Sequence, residues 1–322
     1  MSQRSHISRA WAALEERELS RALYARQLGA APEQVFYSTR AARLRSNAAA
    51  NRYSNVLPYD RAVVTSKEGA YVNASVVRAG GEWWVAAQAP LPDNFAAFFR
   101  AILHGTASAH PLVAGMGRKS GHAILVQLTG WSEQGAPKAD DYMPKGSTTF
   151  HHPAGNVQLT RVSGSRRPAL GAEYTQIQME GEHAMTLHHY YFGAWPDHGV
   201  PEGKAVVQLR SLVREVRELA EREGCEVWVH CSAGVGRTGT FIMLSSMLDR
   251  PIPHSEDESP FPTPLGPLEM EHLGAIARRV DAIREYRCML VQTPQQLALL
   301  YAMLGASNKG ACSKSKTSCI LC

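Results

Sequence analysis

The sequence predicts an α/β fold. Two observations carry this reading. Short β-prone runs at 70–77, 83–88, 122–128 and 226–230 alternate with stretches of helical periodicity or composition. A length of 322 residues, with 44% hydrophobic and 20% charged content, describes an ordinary globular protein with an ample core. That length bounds one large domain or two small ones.

The elements follow in chain order. Residues 8–28 place Trp11, Leu14, Leu19 and Leu23 among charges, which predicts a helix, as does the stretch 32–45. N-R-Y-S-N-V-L-P-Y-D (51–60) is a polar, turn-rich loop. The runs 70–77 and 83–88 flank Ala79-Gly80-Gly81-Glu82 and predict a hairpin. A helix is predicted over 94–103, a buried strand over 122–128, and shorter strands between 147 and 193. A long amphipathic helix follows over 201–222, then a short strand over 226–230. Helices are predicted over 238–248, 269–286 and 294–304. Two segments are insertions: 104–121 lacks periodicity, and 251–267 holds six of the eighteen prolines, so it is a solvated loop.

Composition excludes several classes. No apolar run is long enough to span a bilayer, and the start M-S-Q-R-S-H-I-S-R-A-W lacks the apolar core of a signal peptide. A cytosolic location is expected. The net charge is +5, but Lys309, Lys314 and Lys316 near the C-terminus account for three of those charges. The remaining +2 is too small for a nucleic-acid binder. Six cysteines without zinc-finger spacing, in a chain this long, predict reduced thiols.

The chemistry concentrates in V-H-C-S-A-G-V-G-R-T-G-T-F (229–241). A strand precedes Cys231 and a helix follows. Between them lie Ser232, Ala233, Gly234, Val235 and Gly236. Small residues let successive backbone N–H groups turn to a common centre, and such a nest beside a helix N-terminus binds a tetrahedral anion. Arg237 adds a planar, two-pronged donor that matches phosphate oxygens. A free thiol is only a few per cent thiolate at neutral pH. Inward N–H groups, a helix start and an arginine favour the thiolate. The loop thus combines phosphate binding with a nucleophile; side chains are absent because the backbone does the binding.

This string resembles the signature of the tyrosine-specific protein phosphatases with a cysteine nucleophile. Other segments match in the family's order: A-W-P-D-H-G-V-P (194–201), N-R-Y-S-N-V-L-P-Y-D (51–60), Y-V-N-A-S (71–75), Q-A-P-L-P (88–92) and V-Q-T-P-Q-Q (291–296). The resemblance covers about 30–305 and points to the non-receptor-type members. It implies a highly twisted mixed central β-sheet flanked by helices, in a single catalytic domain over 30–306. A helical leader (1–29) precedes that domain and a flexible basic tail (307–322) follows it.

The resemblance also implies roles. Cys231 attacks phosphorus, Arg237 clamps the equatorial oxygens, and Thr238 helps the thiolate leave. His230 orders the loop, with simple packing as the rival reading. Asp197 protonates the leaving tyrosine oxygen and then activates water. Trp195 and Pro196 serve the closure of that loop. Tyr53 walls a slot deep enough for phosphotyrosine and too deep for phosphoserine, and Asn55 stands where some members carry Asp. Gln292 positions the hydrolytic water, assisted by Gln296. Thr293, Pro294 and Gln296 also fit a capping box. Glu133 braces the arginine and Lys138 touches the closed acid loop; here Ala139, Asp140, Asp141 and Met143 depart from the usual residues. Cys288 and Met289 depart near the pocket mouth. No metal or other cofactor is expected; the pairs His151-His152 and His188-His189 lack partners at ligand spacing.

The chain ends C-I-L-C. Cys319 stands in a C-a-a-X pattern whose last residue, Cys322, is unusual, with Cys312 as a candidate second acylation site and lysines nearby. The rival is a tail with incidental cysteines. The expected partners are tyrosine-phosphorylated proteins and, through the tail, a membrane surface; the chain is expected to be a monomer. Two other functional readings stand beside a tyrosine phosphatase. One is a relaxed-specificity cysteine phosphatase acting on other phosphoproteins or inositol lipids. The other is a non-catalytic phosphotyrosine-binding module, against which Cys231, Asp197 and Arg237 all speak.

Overall fold

Four parallel strands form the middle of a nine-stranded mixed sheet, and all four point their carboxyl ends the same way. The computed structural model describes residues 3–26, 35–113, 120–196, 199–250, 263–266, 268 and 274–314. In chain order its elements are helices α1 (Gln3–Tyr24), α2 (Arg40–Arg43) and α3 (Arg45–Ala48), then strands β1 (Val63–Thr65), β2 (Tyr71–Ala79) and β3 (Glu82–Ala87). Next come α4 (Phe95–Leu103), β4 (His122–Gln127), the two-residue strands β5 (Ser132–Glu133) and β6 (Ala136–Pro137), and β7 (Ser147–Phe150). They continue with β8 (Val157–Arg167), β9 (Ala172–Glu180), β10 (Ala184–Tyr191), α5 (Lys204–Glu223) and β11 (Glu226–His230). The last three are α6 (Gly236–Met247), α7 (Gly274–Arg284) and α8 (Pro294–Lys314).

The sheet order is β1-β2-β3-β11-β4-β10-β9-β8-β7. Strands β3, β11, β4 and β10 run parallel; the flanking pairs are antiparallel. Register aligns Ala87, His230, Gln127 and Tyr191 in one row at the carboxyl edge. In α/β sheets that edge is where ligands bind. The loops leaving β11, β4 and β10 carry Cys231, Glu133 and Trp195.

Local sequence explains most of the elements. β11 is buried from Val227 onward, as a central strand covered on both faces requires. Helix α5 buries Leu209, Leu212, Val213, Val216 and Leu219, one face at helical spacing. It stops at Gly224, which is left-handed at φ 59°. Every residue of α6 is buried, and the helix packs against β11, β3 and α8. In α4 the buried Arg100 is matched by Glu68, by Glu182 and by the carbonyl of Gly155.

Three expectations needed correction. Of the single helix predicted for 32–45, residues 32–34 lie outside the described residues, 35–39 are not helical, and the rest is α2, which ends at Leu44, whose ψ of 139° is extended, before the short α3. The start of α2 is set from a distance: the Asp60 carboxylate accepts the N–H groups of Arg40 (3.0 Å) and Ala41 (2.9 Å). Of the strands expected to be short between 147 and 193, β7 is, but β8 has 11 residues, paired along its length with β9. The helix predicted for 294–304 runs on to Lys314, into the segment expected to be tail. Of the proline-rich insertion, 251–262 and 267 lie outside the described residues. Its end, near Leu265 and Gly266, is held by the Arg17 guanidinium (3.3 and 2.7 Å).

Candidate active site

The cysteine loop is built by its carbonyls. The His230 carbonyl accepts from the Leu128 N–H (2.9 Å), and that of Cys231 accepts from His230 Nδ1 (2.9 Å). The Ser232 carbonyl accepts from the Ala89 N–H (2.9 Å). Those of Ala233 and Gly234 accept from the Arg287 guanidinium (3.0 and 2.9 Å). The Val235 carbonyl accepts from the Val291 N–H (3.1 Å). In a trans peptide the N–H points opposite to the carbonyl, and there are no cis bonds among the described residues. Holding these carbonyls outward therefore turns the following N–H groups inward. The Gly234 N–H donates to Cys231 Sγ at 3.2 Å. The nest expected from small residues is thus enforced by the surroundings.

Gly234 is where the loop needs glycine. Its φ is +72°, and a Cβ there would lie 2.1 Å from the Ala87 carbonyl oxygen. Behind it, Arg287 is fully buried and also donates to Asn73 Oδ1 (2.7 Å). Burial pulls the pKa of Arg287 below its ordinary value. Asn73 in turn donates to Asn51 Oδ1 (2.8 Å) and the Val56 carbonyl (3.0 Å), linking the 51–60 loop to the cysteine loop. Sequence reasoning missed Arg287. Its signal was a lone cation in the otherwise weakly polar run Y-R-C-M-L-V before Gln292.

Arg237 meets Glu133 fork to fork, Nη1 to Oε1 at 2.6 Å and Nη2 to Oε2 at 2.7 Å, and Nη1 also donates to the Leu128 carbonyl (3.1 Å). The β5–β6 hairpin, not foreseen from sequence, presents Glu133. Thr129 Oγ1 (2.8 Å) and the Gly130 N–H (3.0 Å) also donate to this carboxylate. Burial pushes the Glu133 carboxyl up, but the bonds from Arg237 and Thr129 outweigh it and the pKa lies below the ordinary value.

His230 is fully buried, and burial lowers its pKa to about 4. It is therefore neutral at physiological pH. With Nδ1–H donating to the Cys231 carbonyl, Nε2 must accept, and Tyr142 Oη lies 2.5 Å from it. His189 Nε2 and Gln127 Oε1 lie 3.1 Å apart, and Gln127 Nε2 donates to the Thr129 carbonyl (2.9 Å). Both ring nitrogens of His230 thus have partners, one in the cysteine loop and one on Tyr142.

A cleft of about 270 Å³ opens over Cys231 and Arg237. Tyr53, Asn55, Lys138, Gln292 and Gln296 line it. Tyr53 Oη lies 2.7 Å from Ser232 Oγ, and Ser232 Oγ donates to the Lys138 carbonyl (2.6 Å). Since the Ser232 proton is used there, Tyr53 is the donor. Arg52 adds a second tie to the 131–144 loop, pairing with Asp140 at 2.5 Å. Thr293 Oγ1 accepts the Gln296 N–H (3.2 Å), as the capping box requires. The return bond differs from the expected one: Gln296 Oε1 accepts from the Gln292 N–H (2.9 Å), one residue earlier. Both glutamine side chains face the loop, since a Cβ on Gly236 would lie 2.9 Å from Gln296 Nε2 and 3.2 Å from Gln292 Oε1.

Other expected residues stand apart from this network. Thr238 Oγ1 is buried without a hydrogen-bond partner among the described residues, Cys231 Sγ included. Trp195 is buried and donates from Nε1 to the Gly199 carbonyl (3.1 Å). Asp197 and Cys319 lie outside the described residues; Cys312 falls within the span of α8. His188 contacts His122 (3.0 Å) and Tyr174 Oη (2.8 Å). Among the described residues, Glu68, His104 and Glu182 have ligating atoms close enough to hold a metal ion. Arg100 pairs with both carboxylates, and Lys67 with Glu182 (2.6 Å). None of the three lines the cysteine cleft.

Comparison with known proteins places this geometry. The protein-tyrosine phosphatase family model matches residues 47–305. The Lar-like tyrosine-protein phosphatase of Caenorhabditis elegans is 29% identical over 272 residues, 81% of this chain and 11% of that protein. Human receptor-type tyrosine-protein phosphatase eta is 29% identical over 269 residues, 81% and 17% of the two chains. Human receptor-type tyrosine-protein phosphatase H is 31% identical over 268 residues, 79% and 21%. The chain thus spans about a tenth to a fifth of the length of these relatives. Two of the three are named receptor-type, so the narrower expectation of a non-receptor-type member draws no support from them. The matched segment holds the cysteine loop, its arginine, the Glu133 brace and the glutamine loop, and the chain belongs to the protein-tyrosine phosphatase family.

Proposed function

We propose that the chain hydrolyses phosphotyrosine in proteins through a cysteinyl-phosphate. The observation that carries this reading is the cradle around Cys231, with carbonyls bound outward and Arg237 held by its fork on Glu133. A tetrahedral dianion fits this arrangement of donors.

In the first step Cys231 Sγ attacks phosphorus and the bond to the tyrosine oxygen breaks. Asp197 gives its proton to that oxygen, because a phenolate leaves poorly. Arg237 and the loop N–H groups stabilise charge on the equatorial oxygens, the main source of catalysis in phosphoryl transfer. In the second step Gln292, assisted by Gln296, places a water in line. Asp197 takes its proton, the sulfur–phosphorus bond breaks, and the Thr238 hydroxyl eases the departure of the thiolate. Trp195 anchors the closing loop and Lys138 meets it. Tyr53 stacks on the substrate ring and sets the depth of the slot, and Asn55 pairs with the peptide backbone of the substrate.

The wider reading is a monomeric, non-receptor-type enzyme of the cytoplasm, with 1–29 a leader to one catalytic domain, 30–306. It acts on tyrosine-phosphorylated proteins and docks on membranes through lipidation at Cys319, with Cys312 as a second site. No helix among the described residues is long and apolar enough to cross a membrane. Loss of the membrane fraction in cells on Cys319→Ser is the expected result; an unchanged fraction rejects the anchor.

The central test is phosphate release from matched phosphotyrosine and phosphoserine peptides, with Cys231→Ser as the blank. Turnover of the phosphotyrosine peptide alone is expected. Turnover of both would favour the relaxed-specificity phosphatase, and binding without turnover the non-catalytic module.

A further inference from the structure

Helix α1 precedes the segment that the family model matches, 47–305. It nevertheless reaches the backbone leading into Gln292. Glu18 Oε1 accepts the Met289 N–H at 3.2 Å. One turn earlier, the Leu14 carbonyl accepts from Arg284 Nη1 at 3.1 Å. The same guanidinium donates from Nε to the Leu290 carbonyl (2.9 Å) and from Nη2 to the Val291 carbonyl (2.8 Å). Arg284 is buried, and Glu18 Oε2 lies 3.6 Å from its Nη1.

The residues so held are not at rest by themselves. Met289 has φ 56° and Val291 has φ 61°. Left-handed backbone is disfavoured outside glycine, and for a β-branched valine it is a true outlier. Such conformations persist only where surrounding contacts over-determine them, and they gather at functional sites. Here the contacts come from two sides. The Val291 N–H donates to the Val235 carbonyl of the cysteine loop, and α1 holds Met289. The next residue is Gln292, whose side chain faces Gly236.

We propose that Glu18 is a positioning residue for the second chemical step: α1 sets the register of the glutamine loop through the Met289 N–H. The proposal rests on the reading of Gln292 as the water-positioning residue. Loss of the Glu18 bond lets Met289 relax while the Val291 N–H keeps the Val235 carbonyl, which shifts Gln292 and slows hydrolysis of the cysteinyl-phosphate. Attack by Cys231 is untouched.

Two substitutions in the full chain separate reach from charge. Glu18→Asp keeps a carboxylate beside Arg21 and Arg284 but is one methylene short of the Met289 N–H. Glu18→Gln keeps the reach and loses the charge. The assay is rapid-mixing release of nitrophenol from p-nitrophenyl phosphate, beside wild type and Gln292→Ala. Glu18→Asp should give a burst of up to one equivalent and then a steady rate about five- to tenfold slower, a smaller loss than the roughly 10²-fold that a 1 Å misplacement can cost. Its kcat and KM should fall together with kcat/KM unchanged, while Glu18→Gln follows the wild type. A burst in Gln292→Ala with none in Glu18→Asp overturns the proposal and leaves the reading of Gln292 standing. No burst in either rejects that reading and the proposal with it. A burst in Glu18→Gln alone, or a loss of kcat/KM in Glu18→Asp, also overturns it, because charge or general folding would then be at work.

Discussion

The Arg237 guanidinium is fixed along one edge by both oxygens of Glu133, at 2.6 and 2.7 Å. Because the guanidinium is planar, fixing one edge orients the other toward the cleft. Arg237→Lys keeps the charge and loses the fork. It should lower kcat about 10²–10³-fold, the usual loss for one transition-state donor. Glu133→Gln should cost less, about tenfold in kcat/KM, because one amide oxygen still accepts. Phosphate release by the two variants checks both. Wild-type rates in Glu133→Gln would mean that the carboxylate does not orient the arginine.

Gly234→Ala should both unfold and inactivate. The new methyl would lie 2.1 Å from the Ala87 carbonyl at a φ of +72°. Strain and overpacking together predict a loss of about 2–5 kcal/mol. Gly224→Ala is the control: its φ is also positive, +59°, but nothing lies within 4 Å of the added Cβ. It should cost only about 1 kcal/mol. Urea melts of the pair separate close approach from backbone strain, and equal losses would refute the account of the loop.

Tyr53 contributes a ring and a hydroxyl, and two variants divide them. Tyr53→Phe loses only the bond to Ser232, worth about 1 kcal/mol, so kcat/KM should fall less than tenfold. Tyr53→Ala removes the wall of the slot and should reduce the preference for phosphotyrosine over phosphoserine peptides. An unchanged preference would place selectivity elsewhere in the cleft.

Three buried histidines predict the acid limb of stability. Burial lowers His188 to about 4, His189 to about 3 and His230 to about 4. In the unfolded chain each titrates near 6.5. Between those values the unfolded chain binds more protons, so stability is complete above about pH 6.5 and falls as pH drops toward 4. Thermal melts from pH 8 to pH 4 should show this decline; a flat profile would count against neutral, buried rings. Tyr142→Phe removes the donor to His230 Nε2 and should cost about 1–3 kcal/mol at neutral pH.

Much of the site was legible because its chemistry is local in sequence. Cys231 to Arg237 form one loop between a strand and a helix, and small residues there report a backbone cradle directly. Thr293, Pro294 and Gln296 likewise announced a helix start, which α8 keeps. The supporting residues were not legible, because their meaning depends on distant partners. Arg287 looks like any surface cation until its contacts with the carbonyls of Ala233 and Gly234 are seen. Asp60 caps a helix some twenty residues upstream, so the start of α2 at Arg40 could not be read from the local pattern.

The sequence alone determined the α/β class, the order of the main strands and helices, and the placing of Cys231 and Arg237 in one loop of small residues. Periodicity and small-residue runs are short-range signals, and these features are short-range. The tertiary structure decided which way the loop carbonyls point, that His230 donates to the Cys231 carbonyl, and that α1 grips the approach to Gln292. Each of those depends on groups far apart in the chain. Buried polar groups must find partners, and only the folded arrangement says which ones they meet.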